Sequence, residues 1–432
     1  MRASGEFTAA SGRVALVSFM STLLHASIIA AVATGVYLPA ISHDLGWTRA
    51  QVGAGVTLNY WGTALGAAVA GRFVDRFGPR SLIVPSALLS GLLLAAFGLI
   101  NGSRLWFYAL FFLLGVSVPG AVGYSKLLSG WFFRRRGLAL SGLGVGIFLA
   151  TIIVPPTAAR LQSLFGWRGG FVALGAAIVV ILFPAVALFA RERQSAHSSR
   201  AVVVQDPDGA PGMSTREVWA SRAFWLLAAA QLGSKFAYGA FMVHAVGILT
   251  EQGLSPSQAV IGMSAVGIGG LIAQVATGWL VDRFNSPRVM IPIAATSVAG
   301  LILIHSAPGQ YAVLAGAVLL GVGAGGEDSV MSYLITRFFG VRNFARVYGS
   351  MMPLVMVAAA PAPILVGAMF DRSRSYHLAL WALEAGMGLG VVAFCLLKPF
   401  PFPTEAARRQ REAASSVALD AGEVAEALAA PQ

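Results

Sequence analysis

The chain has 432 residues, of which 57% are hydrophobic and only 11% are charged, and its mean hydropathy is +0.74. A soluble domain carries about 25% charged residues, so this composition excludes an ordinary soluble protein and indicates one that spans a lipid bilayer. The net charge of +12 would suit nucleic acid, but in a membrane protein a basic excess reports topology, so we expect no nucleic-acid partner. The single cysteine, Cys395, excludes an intramolecular disulfide and a cysteine metal cluster.

Apolar stretches of membrane-spanning length recur along the whole chain, separated by short charged or Gly/Pro-rich breaks. Because about 20 mainly apolar residues are needed to cross the hydrocarbon core, we predict an all-α membrane protein with twelve transmembrane helices. The predicted spans are residues 14–38, 50–71, 81–100, 104–130, 138–159, 168–190, 223–250, 256–280, 288–307, 310–336, 344–369 and 376–398.

The distribution of basic residues predicts the orientation of these spans. Placing both termini inside puts most Lys and Arg residues in cytoplasmic segments, for example Arg134, Arg135 and Arg136. The outer loops then hold few basic residues, among them Arg49 and Arg372. This bias predicts a multi-pass protein of the cell inner (plasma) membrane with both termini in the cytoplasm.

One long polar interval divides the chain. Residues 191–222 are rich in Ser, Pro, Gly and charge, which is typical of a flexible linker. We therefore predict an N-terminal six-helix bundle at 1–190 and a C-terminal bundle at 223–402. A polar cytoplasmic tail is predicted at 403–432.

A loop after the second span is repeated after the eighth. Residues 71–80 have the sequence Gly-Arg-Phe-Val-Asp-Arg-Phe-Gly-Pro-Arg, and residues 278–288 again contain Val-Asp-Arg-Phe followed by Pro-Arg. A second repeat has nearly the same separation in sequence: the Phe-Phe pair at 132–133 recurs at 338–339. Two matches at corresponding places indicate a duplication, which predicts two pseudo-symmetric bundles.

The first of these loops resembles the signature loop of the major facilitator superfamily, Gly-x-x-x-Asp-Arg-x-Gly-x-Arg. The resemblance implies a secondary transporter whose two bundles rock around a central site. An acid just past a helix end can pair with basic residues and with the positive start of another helix. The two loops are therefore interpreted as a cytoplasmic gate or, alternatively, as topology anchors only. The gate residues would be Asp75, Arg76, Arg80, Asp282 and Arg283.

Two further segments narrow the resemblance. Residues 131–139, Trp-Phe-Phe-Arg-Arg-Arg-Gly-Leu-Ala, are similar to the loop after span four of monocarboxylate porters and oxalate/formate exchangers, and residues 326–340 are similar to their span-ten region. Those carriers place a basic residue in span eight or eleven. Here span eight offers only Gln274, so the counter-charge for an anion has to come from elsewhere.

Ionisable side chains within membrane spans are costly and mark functional sites by default. In this family spans one, four, seven and ten line the central path, an implication of the resemblance. All the ionisable residues that we single out fall in those spans except Glu384 of span twelve, which we interpret as structural. The residues that fall in those four spans are His25, Lys126, Lys235, His244, Glu327 and Asp328.

Lys235 is the strongest candidate for binding an anionic substrate. It lies at the middle of span seven and shares a helix face with Gln231 and Tyr238. A lysine flanked by amide and phenol donors suits a carboxylate. The alternative is a structural ion pair with Glu327 or Asp328.

Six other residues are weaker substrate-binding candidates. His25, at mid-span, would hold a proton or the substrate, or would only bond between helices. His244 is either a contact or a hydrogen-bonded histidine at the outer end. Lys126 either lines the cavity, with Tyr124, or joins the cytoplasmic gate. Asn59 and Tyr60 border the outer half of the cavity, or belong to an aromatic belt.

Asp328 and Glu327 are the candidates for proton coupling. Burial raises the pKa of a carboxyl group and a nearby cation lowers it, which is the balance that a proton carrier needs. Adjacent residues point about 100° apart on a helix. We expect Asp328 to face a polar surface and Glu327 a helix interface, or else one of them to form an ion pair that holds span ten.

Together these features predict a secondary active transporter that moves a small organic anion, a monocarboxylate above all, with a proton. The alternatives are an exporter of amphipathic or cationic compounds by proton antiport, and an organic-anion exchanger. No Ser/His/Asp arrangement, metal-ligand spacing or phosphate loop was found, so we expect no enzyme activity, metal or cofactor beyond the proton gradient. The protein is expected to act as a monomer.

Overall fold

The computed structural model describes most of the chain, and nearly all of that part is helical. The described residues are 8–118, 120–132, 136–192, 213–284, 286–306, 309–340 and 344–401. The predicted tail at 403–432, and most of the predicted linker, lie outside them.

Eight helices precede the linker, and we call them the N-terminal half. They are α1 (Ala9–Leu23), α2 (Ala26–Leu45), α3 (Arg49–Phe77), α4 (Pro79–Ala96), α5 (Arg104–Ser117), α6 (Gly120–Trp131), α7 (Arg136–Ala177) and α8 (Phe183–Phe189). A 3₁₀ turn (Phe97–Leu99) follows α4, and a π-helical turn (Ile178–Leu182) joins α7 to α8.

Eight helices follow, and we call them the C-terminal half. They are α9 (Thr215–Ala220), α10 (Arg222–Glu251), α11 (Pro256–Phe284), α12 (Met290–Ser306), α13 (Gln310–Phe339), α14 (Phe344–Ala359), α15 (Ala362–Ser373) and α16 (His377–Cys395). A 3₁₀ turn (Pro287–Val289) precedes α12.

Within the described ranges, nine stretches are long and apolar enough to cross a membrane. They account for ten of the predicted spans, because Ala139–Phe189 covers both span five and span six. Predicted span two corresponds to α3, whose small and polar residues lower its hydropathy. Predicted span four is divided between the shorter helices α5 and α6. The count of twelve spans, and their orientation, stay predictions.

Three spans predicted as continuous are broken in the structure. Span one is interrupted at His25, whose backbone is extended (φ −69°, ψ 109°). Span four is interrupted at Val118, also extended, since a residue before a proline avoids the helical region. Span eleven is interrupted at Ala360 and Pro361, the two residues that separate α14 from α15. No proline or glycine adjoins His25, and we have no local account of that break.

Gly166 separates the helical segments of predicted spans five and six. Its backbone angles (φ 68°, ψ 175°) are non-helical and interrupt α7. A positive φ costs little only for glycine. The boundary between the two predicted spans therefore depends on this residue.

The two halves pack against each other mainly along three helix pairs, α2 with α10, α3 with α15, and α7 with α11, with smaller contacts of α3 with α14 and of α7 with α13. The closest approach is between backbones: a Cβ atom added to Gly35 of α2 would lie 2.3 Å from the carbonyl oxygen of Met242 in α10. A residue without a side chain is required there, as at other tight helix crossings in membranes.

The end of the predicted linker is more ordered than the sequence analysis indicated. Residues Thr215–Ala220 form α9, whose start is a capping box: Ser214 accepts from the amide of Glu217, and the Glu217 side chain accepts from the amide of Ser214. The bonds from Ser214 hold the pKa of the Glu217 carboxyl below its usual range. The Ser-x-x-Glu signature was present in the sequence and was missed.

Candidate substrate-binding site

An ion pair between two transmembrane helices is the centre of the candidate site. The Nζ atom of Lys235 in α10 lies 2.5 Å from Oδ1 of Asp328 in α13. The two side chains are 28% and 43% exposed, so they face open space rather than a closed core. The structure thus forms the ion pair that the sequence left as an alternative, in a position that a ligand can reach.

The face of α10 that carries Lys235 is directed toward the N-terminal half. Tyr238, three residues further on, has its hydroxyl near that of Thr151 of α7. Residues three apart on a helix are neighbours. Lys235 therefore lies next to the boundary between the two halves, where a central binding site has to be.

Tyrosines from both halves surround this region. Tyr60 of α3 lies against Gly239 of α10, with its hydroxyl 3.3 Å from the place that a Cβ atom would take, and it interacts electrostatically with Tyr238. Tyr348 of α14 interacts electrostatically with both Lys235 and Asp328. Tyr348 and Thr151 were not predicted from the sequence, because neither side chain is charged at neutral pH and only the fold brings them close to Lys235 and Tyr238.

Glu327 lies beside the ion pair but out of reach of solvent. It is 4% exposed and lies near Ser234 of α10. Its Oε2 atom has no hydrogen-bond partner in the part of the chain that the structure describes. The expected geometry, with Asp328 on a polar face and Glu327 in a helix interface, is what the structure has.

Gln231 precedes Lys235 by about one helical turn, but its side chain is buried (1% exposed) and its Oε1 atom finds no partner among the described residues. Gln231 lies on the same helix as Lys235 but is not part of the ion pair. Its free acceptor is available to a donor on a ligand only if the surrounding side chains move.

His25 and Tyr124 belong to a separate part of the N-terminal half. His25 precedes α2 at the helix break, and its Nδ1 atom is buried and unpartnered among the described residues. Tyr124 of α6 lies near Ser21 of α1. No hydrogen bond or ion pair recorded in the described ranges links either residue to Lys235.

Three other candidates lie away from the ion pair. Asn59 donates to Ser27 Oγ (3.3 Å) and to the Phe111 carbonyl (3.1 Å), inside the N-terminal half. His244, in the outer part of α10, is hydrogen-bonded to the carbonyl of Pro363 at the start of α15 and to the hydroxyl of Tyr376. Lys126 bonds to Asp75 at 2.6 Å, so it joins the predicted gate rather than the cavity.

Among the gate residues whose side chains the structure describes, none bonds to the opposite half. Lys126 and Asp75 both belong to the N-terminal half, and they are 38% and 68% exposed. Arg80 donates to the Ala187 carbonyl (2.8 Å), also within that half, and Arg76 lies over the ring of Phe77.

The second copy of the gate loop is less informative. Arg283 is exposed at the end of α11, and the side chain of Asp282 lies outside the described part of the structure. Pairing of either loop with the opposite half is a proposal for another conformation.

Hydrogen bonds also join the halves within the outer half and at the middle of the predicted spans. Thr57 of α3 donates to the carbonyl of Ala360 (2.7 Å), which the break before Pro361 leaves free of the helix. Trp61 donates to the Val357 carbonyl (3.3 Å).

The described ranges contain no cluster of three or more His, Cys, Asp or Glu residues that could hold a metal ion.

Comparison with known proteins identifies the family of this two-part helical chain. The model of the Major Facilitator Superfamily matches residues 15–246 and 229–429. The chain belongs to this family. It is a family of membrane transporters, not of enzymes.

Relatives in the Major Facilitator Superfamily include carriers of organic acids. The chain is 26% identical over 350 residues to the 3-(3-hydroxy-phenyl)propionate transporter of Escherichia coli (strain K12), covering 78% of this chain and 82% of that protein. It is 26% identical over 414 residues to a 4-hydroxybenzoate transporter of Pseudomonas aeruginosa, covering 89% and 92%. It is 27% identical over 327 residues to monocarboxylate transporter 11 of Mus musculus, covering 70% and 68%.

A solved structure has the same fold. The crystal structure of a bacterial homolog of the human lysosomal transporter Spinster, in an inward-facing and unoccupied conformation, matches with a TM-score of 0.70 at 16% identity. The match covers 90% of this chain and 96% of that chain. This superfamily member is therefore an all-helical membrane protein with the major facilitator fold.

Proposed function

We propose that the protein is a secondary active transporter that carries a small monocarboxylate, together with a proton, across the cell inner membrane by alternating access. The observation that carries the proposal is the accessible ion pair between Lys235 and Asp328, beside the boundary of the two halves. The neighbouring tyrosines add donors and aromatic faces.

Ligand exchange within this ion pair would couple the anion to the proton. Lys235 has one carboxylate partner in the present structure, Asp328. A substrate carboxylate takes that place only if Asp328 gives it up, and protonation of Asp328 removes the charge that holds it. One proton and one anion then enter together, and Lys235 keeps a single counter-charge throughout.

Glu327 offers a second place for the proton. Its buried carboxyl has an unpartnered oxygen, and a buried carboxyl without a partner is more stable when protonated. Transfer between Asp328 and Glu327 would separate the proton from the water-filled side of the site. This would keep the proton bound while the halves rock.

The aromatic surroundings support an organic acid with a flat or apolar body. Tyr60, Tyr238 and Tyr348 come from three helices and contribute ring faces and hydroxyl groups. Two of the relatives carry names of aromatic-acid transporters and one is a monocarboxylate transporter. We therefore put aromatic and short aliphatic monocarboxylates first among the substrates.

The pattern of contacts supports an inward-facing conformation. The halves bond to each other at their predicted outer ends, where Asp371 accepts from the amides of Arg49 and Ala50, and in the outer half of the spans at Thr57. At the predicted cytoplasmic end, Asp75 instead bonds to Lys126 of its own half. In the outward-facing conformation we expect Asp75 to exchange Lys126 for the opposite half, which would close the cytoplasmic gate.

The test is uptake into proteoliposomes of a radiolabelled panel of aromatic and aliphatic monocarboxylates, with and without an acid gradient that favours entry. Gradient-stimulated uptake of one acid, lost in Lys235→Gln and kept in the matched control Lys398→Gln, supports the proposal. Lys398 is exposed beyond the end of α16.

Two results would contradict it. Absence of uptake for the whole panel would remove the monocarboxylate assignment. Uptake of an organic cation that requires Asp328 but not Lys235 would instead favour the exporter of cationic compounds. Neither result changes the family.

A further inference from the structure

A second cluster of polar side chains joins the two halves at their predicted outer ends, and the proposed exchange at Lys235 does not use it. We call it the outer cluster. Its members are Arg49 at the start of α3, His244 of α10, Asp371 of α15 and Tyr376 just before α16. Tyr376 is fully buried and His244 nearly so.

Asp371 fastens the C-terminal half to the start of α3. Its two carboxylate oxygens accept from the backbone amides of Arg49 (3.1 Å) and Ala50 (3.0 Å). The first amides of a helix have no partner within the helix and carry a partial positive charge. An acid of one half therefore caps a helix of the other.

Arg49 makes the second connection. Its guanidinium group lies 3.5 Å from the centroid of the Phe370 ring and donates to the hydroxyl oxygen of Tyr376. A cation over an aromatic face is stabilised by the ring quadrupole. Both aromatic residues belong to the C-terminal half, so Arg49 bridges the same boundary as Asp371.

The hydrogen bonds around His244 fix where its proton lies. Its Nε2 atom is 2.9 Å from the carbonyl oxygen of Pro363. A carbonyl oxygen only accepts, so Nε2 carries a hydrogen. Its Nδ1 atom is 3.2 Å from the hydroxyl of Tyr376. Since that hydroxyl already accepts from Arg49, it donates its own hydrogen to Nδ1, and His244 is neutral.

We propose that the outer cluster is a latch that closes the outer end of the path only while His244 is neutral, and that a proton taken up by His244 from outside opens it. His244 acts as a positioning residue, because it works through Tyr376. The inference rests on the alternating-access part of the proposed function and on the predicted orientation.

A protonated His244 cannot keep this arrangement. Both ring nitrogens would then donate, so the Tyr376 oxygen would meet two donors and its own hydrogen would lose its acceptor. A second positive charge would also lie near Arg49. Of the anions nearby, Asp371 is engaged with the α3 amides, and Glu251 with the amide of Tyr376 (3.0 Å).

The expected pH dependence follows from linkage. A histidine side chain in water has a pKa near 6.5. In the proposed open form, the side chain of His244 contacts water and has this pKa. If the closed latch accepts only the neutral form, the ratio of open to closed protein rises about tenfold for each pH unit below about 6.5. At pH 7.5 and above the ratio is constant.

The test measures access to a thiol behind the latch. Cys395, the only native cysteine, is replaced by serine, and Ala31→Cys places a reporter on α2. Ala31 is buried and shares a helix face with Gly35, which packs against α10. Asn101→Cys, in an exposed loop, is the reference that corrects for the reactivity of the thiol at each pH.

Right-side-out membrane vesicles are treated with a membrane-impermeant maleimide between pH 5 and 8. Labelling at position 31, divided by labelling at position 101, should rise about tenfold per unit below pH 6.5 in the parent protein. His244→Gln keeps an amide donor and an acceptor, so it should stay closed with a flat profile. His305→Gln, which alters another histidine near the outer end, should keep the parent profile.

Asp371→Asn and Tyr376→Phe should raise labelling at pH 7.5 to the level that the parent reaches at low pH, and Asp371→Glu should restore closure. The proposal is overturned if the parent profile is flat, if the pH dependence survives His244→Gln, or if Asp371→Asn stays closed. The assay needs no substrate, so its failure is distinct from a failure to find carboxylate uptake.

Discussion

Two of the polar pairs that join helices in the described part of the structure differ in what surrounds them. Lys235 and Asp328 are about one-third exposed and lie beside the boundary of the two halves. His305 of α12 and Glu384 of α16 are 2.9 Å apart, only 10% and 8% exposed, and both belong to the C-terminal half. His305 also contacts His377, so every partner is already supplied by the protein.

The contrast separates a pair that can exchange partners from one that cannot. A ligand can replace Asp328 on Lys235 because space adjoins them, whereas displacing Glu384 would leave buried polar atoms without a hydrogen-bond partner. An ionisable residue in a membrane span is thus a functional candidate only when its surroundings are open. Glu384 fits the structural role expected from its position in span twelve, and its partner His305 was not singled out from the sequence.

The largest expected effect is on proton coupling at the open pair. In Asp328→Asn the amide cannot give up a charge, so we expect gradient-driven uptake of the carboxylate to fall at least about 30-fold, as for loss of one partner of a hydrogen-bonded charge pair. Exchange of labelled for unlabelled carboxylate should continue, because it needs no net proton movement. Proteoliposome uptake and counterflow measure the two rates; an equal loss of both would argue against Asp328 as the proton site.

The closed pair should respond in stability rather than in transport. Glu384→Gln weakens the bond to His305, and we expect a loss of about 1–3 kcal/mol of folding free energy, which is typical of a disrupted buried polar contact. The substrate KM should stay that of the parent. Thermal unfolding in detergent and the concentration dependence of uptake measure these; a raised KM with unchanged stability would reverse the assignment of the two pairs.

The smallest effect is expected at the exposed pair of the gate. Lys126 and Asp75 are too exposed to contribute more than about 1 kcal/mol, so Lys126→Gln should leave the unfolding temperature unchanged. It should shift the inward-to-outward ratio by no more than about fivefold, detectable as altered labelling of a cytoplasmic reporter cysteine. A large loss of transport in this variant would instead return Lys126 to the substrate path.

Much of the fold and part of the site could be predicted from the sequence. The repeated Val-Asp-Arg-Phe loop led to the family that the comparison confirms. Helical periodicity placed Lys235 and Tyr238 on one face, and separated Asp328 from Glu327, as the structure has them. These features depend on spacing within a single helix, which the sequence records directly.

The rest depends on which helices are neighbours, and spacing does not record that. Tyr348 reaches the ion pair from α14, and Thr151 meets Tyr238 across the boundary of the halves. Asn59, expected at the cavity, instead bonds within its own half. The break at His25 carries no proline or glycine signal, so tertiary packing has to account for it.

The backbone contact between Gly35 and Met242 has a mechanical consequence. If the halves rock about it, each part of α10 moves in proportion to its distance from Met242. At about 1.5 Å of rise per residue, Tyr238 is about 6 Å away, and a rotation of about 10° moves it by about 1 Å. Arg222, about 30 Å away at the other end of α10, moves by about 5 Å. Such a rotation would therefore open the Arg222 end of α10 widely and leave Tyr238 almost unmoved relative to Thr151.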